Sequence, residues 1–374
     1  MDVKTRNERA KQYILDQFKT VSKFNSADFE DLPDYIELKK ITEDLIYVSA
    51  RGFRGIVATA LTGKYLDPNY DYLNNFYDCS PRSIFEQGIF YAFQEMEIPS
   101  GKSDPLNVAK NNNVLDENWT KGKRPQKAAL AVITLLRKIY NEKNTEIQSK
   151  TINYFFYRLY TYSLECGSIV TKPINKESIL NQSIASKLVR FSLQYPESGT
   201  VPQFVISCLL SAVYNSSTIK VVGGEDSVFG TNTTSKKPAD VWLEENGNIY
   251  NLYEITVKKI DIKRLDDSIQ ALSDTDCLDK TVIFICRIPE DISTLEGYQN
   301  GILTYNNKSF NFIDISEFIR STIALLPPET IKKVITKIED FIGSFMRPTK
   351  TKEGWNTLFS VNTESVCQDE FKQT

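Results

Sequence analysis

The chain has no histidine among its 374 residues. This absence removes Ser-His-Asp and Cys-His triads, histidine-ligated zinc hydrolases and histidine-base nucleases. Hydrolytic chemistry would have to run on carboxylates, lysine, hydroxyls or a metal held by oxygen ligands. Cysteine is sparse and scattered: Cys79, Cys166, Cys208, Cys277, Cys286 and Cys367 form no C-x-x-C pair, which argues against structural zinc and a disulfide framework. Cys208 and Cys286 sit in apolar runs and read as core thiols. No apolar run reaches the roughly 18 residues of a membrane span, and the charged N-terminal stretch lacks the apolar region of a signal peptide, so a cytoplasmic protein is expected. No repeat of 20–50 residues is visible. SGKS and TGKY resemble phosphate loops only superficially, because Met96 and Ala58 stand where the upstream glycine is required. The net charge of −3 gives no whole-molecule attraction for nucleic acid, so such a partner needs a local basic surface.

What is present changes character along the chain. Up to about residue 175 the apolar spacing is helical, as in KTRNERAKQYILDQFKTVSKF, DYIELKKITEDLIYVSA, RPQKAALAVITLLRKIYNEK and KTINYFFYRLYTYSLE. PRSIFEQGIFYAFQEME is a further helix with Pro81 near its start. The aromatic run NYFFYRLYTY reads as helix packing before base stacking. The order then becomes helix, three strands (TIKVVGG, PADVWLE, IYNLYEITVKK), helix (DIKRLDDSIQALSD) and strand (KTVIFICRI), with FNFIDI a further strand before two more helices. This αβββαβ order predicts an α/β fold with a mixed sheet, preceded by a mainly helical domain. The expected division is residues 1–175, 176–347 and a loose polar tail over 348–374.

The two strands around Asn246-Gly247 hold the chemistry. Alternation puts Asp240, Trp242 and Glu244 on one face of the first strand, and Leu252, Glu254, Thr256 and Lys258 on one face of the second. Asp240 and Glu254 meet only in the right register. A plain two-residue Asn-Gly loop pairs Asp240 with Tyr253 and sends Glu254 to the other face, so the pair demands a longer loop or a bulge. Two converging carboxylates repel, and a hard divalent cation with oxygen ligands relieves that repulsion.

Pro238-Ala239-Asp240 and Glu254-Ile255-Thr256-Val257-Lys258, set in αβββαβ order, resemble the PD-(D/E)XK nuclease superfamily over roughly residues 180–320. The resemblance implies Mg2+ held by Asp240, Glu254 and the carbonyl of Ile255. It implies a lysine that assists the attacking water, here Lys258, with Lys236, Lys237 or Lys259 as alternatives. The family lysine stands two residues past the acid, where this chain has Thr256. Lys258 would lie roughly 13 Å from Glu254 along an extended strand. The phrases SPRSIFEQGI, IPSGKSDPLNVAKN and WTKGKRPQKAA are similar to type II restriction endonucleases of the SacI family. That likeness implies double-stranded DNA as substrate, 5′-phosphate ends, a homodimer, and a cognate DNA methyltransferase in the same system. Lys102, Asn107, Lys110, Lys236, Lys237 and Lys263 are then candidate DNA contacts, and Glu225 a candidate extra acid. The rival readings are a repair-type nuclease of the same superfamily, a DNA-binding protein with a decayed site, and an α/β interaction protein with neither activity.

Overall fold

The structure, a computed structural model, describes residues 2–174, 181–214, 218–224 and 237–359. Two compact units form: Met1–Ile169 with Phe345–Thr349, and Val170–Ser344 with Lys350–Thr374. Among the described residues no helix is long and apolar enough to cross a membrane.

The first unit is helical. Its longer helices are Val3–Val21, Tyr35–Ile46, Gly52–Leu66, Gln126–Asn141 and Thr145–Ser168. Local chemistry sets their starts. Asp2 accepts from the Thr5 amide, and Asn144 accepts from the amides of Glu146 and Ile147. Tyr154, Phe155, Phe156, Leu159 and Tyr162 of the aromatic run are buried, so these rings are packing residues. Helix Gly52–Leu66 was not expected. It is buried on every side from Gly52 to Gly63 and therefore carries no polar face to give it a period. The TGKY residues belong to its last turns. The segment beginning at Pro81 is helical in three pieces, Pro81–Ile84, a π-turn Phe85–Ile89 and Phe90–Glu95.

The second unit is a six-stranded mixed sheet with helices on both faces. Its strands are β1 (Ile219–Gly223), β2 (Val241–Glu245), β3 (Asn248–Ile255), β4 (Thr281–Cys286), β5 (Ile302–Tyr305) and β6 (Lys308–Asp314), in spatial order β1-β2-β3-β4-β6-β5. β1, β2 and β3 form an antiparallel meander. β4 runs parallel to β3, and β6 parallel to β4. Helix Ile262–Asp274 makes the crossover that a parallel β3–β4 pair requires. On one face, Val241, Leu243, Tyr253, Ile255 and Ile285 pack with residues of the helices Asn181–Gln194, Thr200–Val213, Ile315–Leu325 and Pro328–Gly343. On the other, Leu252, Val282, Phe284, Phe310 and Phe312 pack with Leu265 and Leu272 of the crossover helix.

The mixed α/β class expected from the sequence is present, in a chain that is mostly helical. Two details differ. β5 was not foreseen. It pairs antiparallel with β6 through a turn at Asn306 and Asn307, both at positive φ (47° and 60°), and its four residues are too few to show alternation. A loose tail was expected from residue 348, yet Thr349–Phe359 is a helix. Its Trp355 stacks on Phe359 at 4.0 Å and meets Phe191 edge-on at 5.2 Å, an apolar anchor that outweighs the polar residues around it.

Candidate active site

The β2–β3 hairpin turns on two residues, Asn246 at φ 52° and Gly247 at φ 83°, the left-handed pair that a tight hairpin with right-handed twist requires. Next to this turn Glu245 pairs with Asn248 and Glu244 with Ile249. Left there, the register would bring Asp240 to Tyr253. A β-bulge intervenes: Leu243 pairs with Asn251, Trp242 with Leu252 and Val241 with Tyr253, leaving Tyr250 as the extra residue. One further step of this register sets Asp240 opposite Glu254. The bulge that the sequence pattern demanded is therefore where the hairpin needs it, and both acids face the crossover helix.

Asp240 follows the buried Pro238 and Ala239 and lies just before β2. Its Oδ2 accepts from the Ile255 amide at 2.9 Å, and its carbonyl accepts from the Gly224 amide (3.3 Å) and Gln203 Nε2 (3.4 Å). β1 ends hard against this backbone: a Cβ on Gly223 would lie 2.2 Å from the Asp240 carbonyl oxygen. Both ends of Asp240 are thus fixed. Glu254 sits at the end of β3, 1% exposed, beside Phe284 of β4.

A buried carboxylate needs a compensating cation. Arg264 supplies it. Its Nη2 donates to Glu254 Oε2 and lies 3.8 Å from Asp240 Oδ2. Arg264 stands in the first turn of the crossover helix, where Asp261 caps the Arg264 amide at 2.9 Å. Burial pushes the Asp240 carboxyl above the usual aspartate range, while Arg264, the Ile255 N–H and Lys237 pull it back. Glu254 in turn strengthens the hold of Arg264 on its proton.

Lys258 is not where an extended β3 would put it. The strand ends at Ile255, and the chain bends at Val257 and Lys258, leaving both Lys258 and Lys259 exposed. The Lys258 amide donates to Thr256 Oγ1 at 3.1 Å. Arg287 Nη2 holds the Val257 carbonyl at 2.7 Å, and Arg287 is itself clamped by the fully buried Asp291 at 2.6 Å. The Asp291 carbonyl accepts from the Ile260 amide at 2.7 Å. The expected pleat beyond Thr256 is replaced by this pinned bend.

Lys237 is half-buried near Asp240, and Lys263 is exposed beside Arg264. Lys102, Asn107 and Lys110 are exposed and belong to the first unit. Lys102 Nζ lies 5.4 Å over the Tyr91 ring. Lys236 and Glu225 lie outside the described residues. Sequence reading saw Arg264 only as part of a basic run. The signal was its spacing: Arg264, Ser268 and Ala271 follow i, i+4, i+7, and the last two are buried, so the guanidinium starts from the sheet-facing side.

Among the described residues no three His, Cys, Asp or Glu side chains converge as a metal cluster. The acid pair offers two hard carboxylate ligands next to the end of β3, a donor chemistry that suits Mg2+. It also already faces one guanidinium.

No family model matches the chain, and no curated protein is similar enough to match.

Proposed function

We propose that the chain is a Mg2+-dependent endonuclease that cuts double-stranded DNA at a fixed sequence, a type II restriction enzyme leaving 5′-phosphate ends. The observation that carries this is the bulged register that turns Asp240 and Glu254 to one face at the end of β3. A plain hairpin would separate them, and two acids brought together in a mostly buried setting are costly unless a cation serves them. The resemblance to the PD-(D/E)XK superfamily supports the same two residues.

Asp240 and Glu254, with the Ile255 carbonyl, would hold the metal. Bound Mg2+ would acidify a water and neutralise charge on the phosphodiester under attack. The chain's own groups position these ligands: the Ile255 N–H orients the Asp240 carboxylate, Gln203 and Gly224 fix its backbone, and Arg264 opposes the buried charge of Glu254. Lys258, Lys259 and Lys263 present positive charge around the same strand end and suit phosphate contacts. A two-fold homodimer with one site per strand, and a methyltransferase protecting the host site, belong to the same proposal.

The test is plasmid and phage DNA incubated with the protein in Mg2+ and in EDTA. Discrete Mg2+-dependent bands are expected. Asp240→Ala should lower cleavage by more than about a hundredfold while leaving duplex binding in place. Wild-type turnover by that variant excludes the assignment, and a smear in place of bands points to a repair-type nuclease. One observation favours a second reading. Arg264 closes on Glu254, and Thr256 stands where the family has lysine, as in a DNA-binding protein whose acids have become a structural ion pair. That protein would bind duplex DNA and cut none of it in any divalent cation.

A further inference from the structure

Glu254 is 1% exposed and Asp240 17%, whereas Arg264, which touches both, is 36% exposed. The guanidinium reaches both carboxylates from the most exposed side chain of the three. A charged Glu254 at that depth requires a cation at all times. A divalent ion that binds these carboxylates competes with Arg264 for the same oxygens. Arg264 has a long flexible stem and a planar fork of donors, which matches phosphate oxygens as well as carboxylate oxygens.

Resting on the nuclease reading above, we propose that Arg264 is the resident cation of this site. It partly offsets the charge of Asp240 and Glu254 while no metal is bound. It yields them to a divalent cation, and then turns to a non-bridging oxygen of the scissile phosphodiester. No covalent bond is made or broken in this handover; a divalent cation replaces the singly charged guanidinium at the two carboxylates, and the displaced guanidinium meets the anionic substrate. Metal and DNA would consequently bind cooperatively, because each rewards the same movement of Arg264.

The test uses the full chain and three measurements. Mn2+ binding without DNA is followed by calorimetry on wild type, Arg264→Met and Arg264→Gln. The glutamine variant keeps an N–H donor for Glu254 and loses the charge, so it serves if the methionine variant fails to melt cooperatively. Removing the competing cation should tighten Mn2+ binding by about tenfold, a coupling of ordinary size for ligands sharing a site. The rise in melting temperature on adding Mg2+ should be larger in the variants than in wild type. Duplex DNA affinity, measured in Ca2+, should weaken in the variants, with a shallower salt dependence by about one phosphate contact. Tightened Mn2+ binding together with weakened duplex binding supports the handover. Cleavage by wild type with Mn2+ affinity unchanged or weakened in both variants overturns it and leaves the nuclease reading standing. Folded proteins that take no Mn2+, in wild type and variants alike, overturn both.

Discussion

Each unit holds an arginine among polar partners, and the partners differ in kind. In the helical unit, Arg54 is 0% exposed, and its hydrogen bonds go to backbone carbonyls: Pro99 at 2.6 and 3.2 Å, Ile46 at 2.7 Å and Val48 at 3.4 Å. Its guanidinium carbon lies 5.0 Å from the Tyr162 ring centre. In the sheet unit, Arg264 is partly exposed and meets two carboxylates. Carbonyls are neutral and belong to the chain's own path, so Arg54 serves to tie the end of helix Tyr35–Ile46 to the segment at Pro99. Carboxylates are charged and have a second use as metal ligands. A cation held by carbonyls closes a fold, whereas a cation held by carboxylates at a strand end occupies a place that another cation can take.

Removing Arg54 should therefore cost the most, and the loss should be insensitive to divalent ions. Arg54→Met strips donors from the carbonyls of Pro99 and Ile46, at about 1–3 kcal/mol for each buried group left unsatisfied. Loss of roughly 3 kcal/mol or more is expected, seen as a melting temperature lowered by about 10 °C and unchanged by Mg2+. A small loss, or recovery in Mg2+, would erase the contrast between the two arginines.

Asp291→Ala should cost less. Asp291 is fully buried, but its partner Arg287 is 40% exposed and can return to water, so about 2 kcal/mol is expected from the lost charge-assisted bonds. The more telling readout is local. Without the clamp on Arg287 the bend at Val257–Lys258 loses its anchor, so trypsin should cut after Lys258 or Lys259 faster than anywhere in wild type. Unaltered cutting there would mean that the bend holds without Arg287.

The helical part of the chain was legible wherever a helix had one wet face. Gly52–Leu66 was not, because total burial removes the contrast that reveals a period. The acid pair was legible because β alternation is strict, and the need for a bulge followed from counting residues across the Asn246-Gly247 turn. Which residue would bulge was not legible, since Tyr250 differs in no local way from its neighbours. Lys258 was misplaced because the end of β3 is set at a distance, by Arg287 and Asp291, some thirty residues further on. Arg264 was seen as charge and missed as a partner, because its direction depends on how the crossover helix lies on the sheet.

The smallest expected effect concerns Asp240 and isolates its charge from its shape. Burial raises its carboxyl above the usual aspartate range despite Arg264, the Ile255 N–H and Lys237. An acid whose folded value is raised binds its proton more tightly folded than unfolded. Its contribution to stability is then fully present below the unfolded value, near ~4, and is lost as pH rises through the folded value. Asp240→Asn keeps an oxygen for the Ile255 amide and cannot ionise. In EDTA, the stability of wild type relative to Asp240→Asn should fall as pH rises from about 4, with a slope no steeper than about 1.4 kcal/mol per pH unit for one proton. Urea midpoints across that range give the difference directly. Parallel curves would mean that Arg264 and Lys237 fully offset the burial of Asp240. A crossing in the opposite sense would mean that they overcompensate, and that the empty site favours its carboxylate charged. In either case the strain that a metal would relieve is absent, and Arg264 balances the acids as completely as the carbonyls balance Arg54.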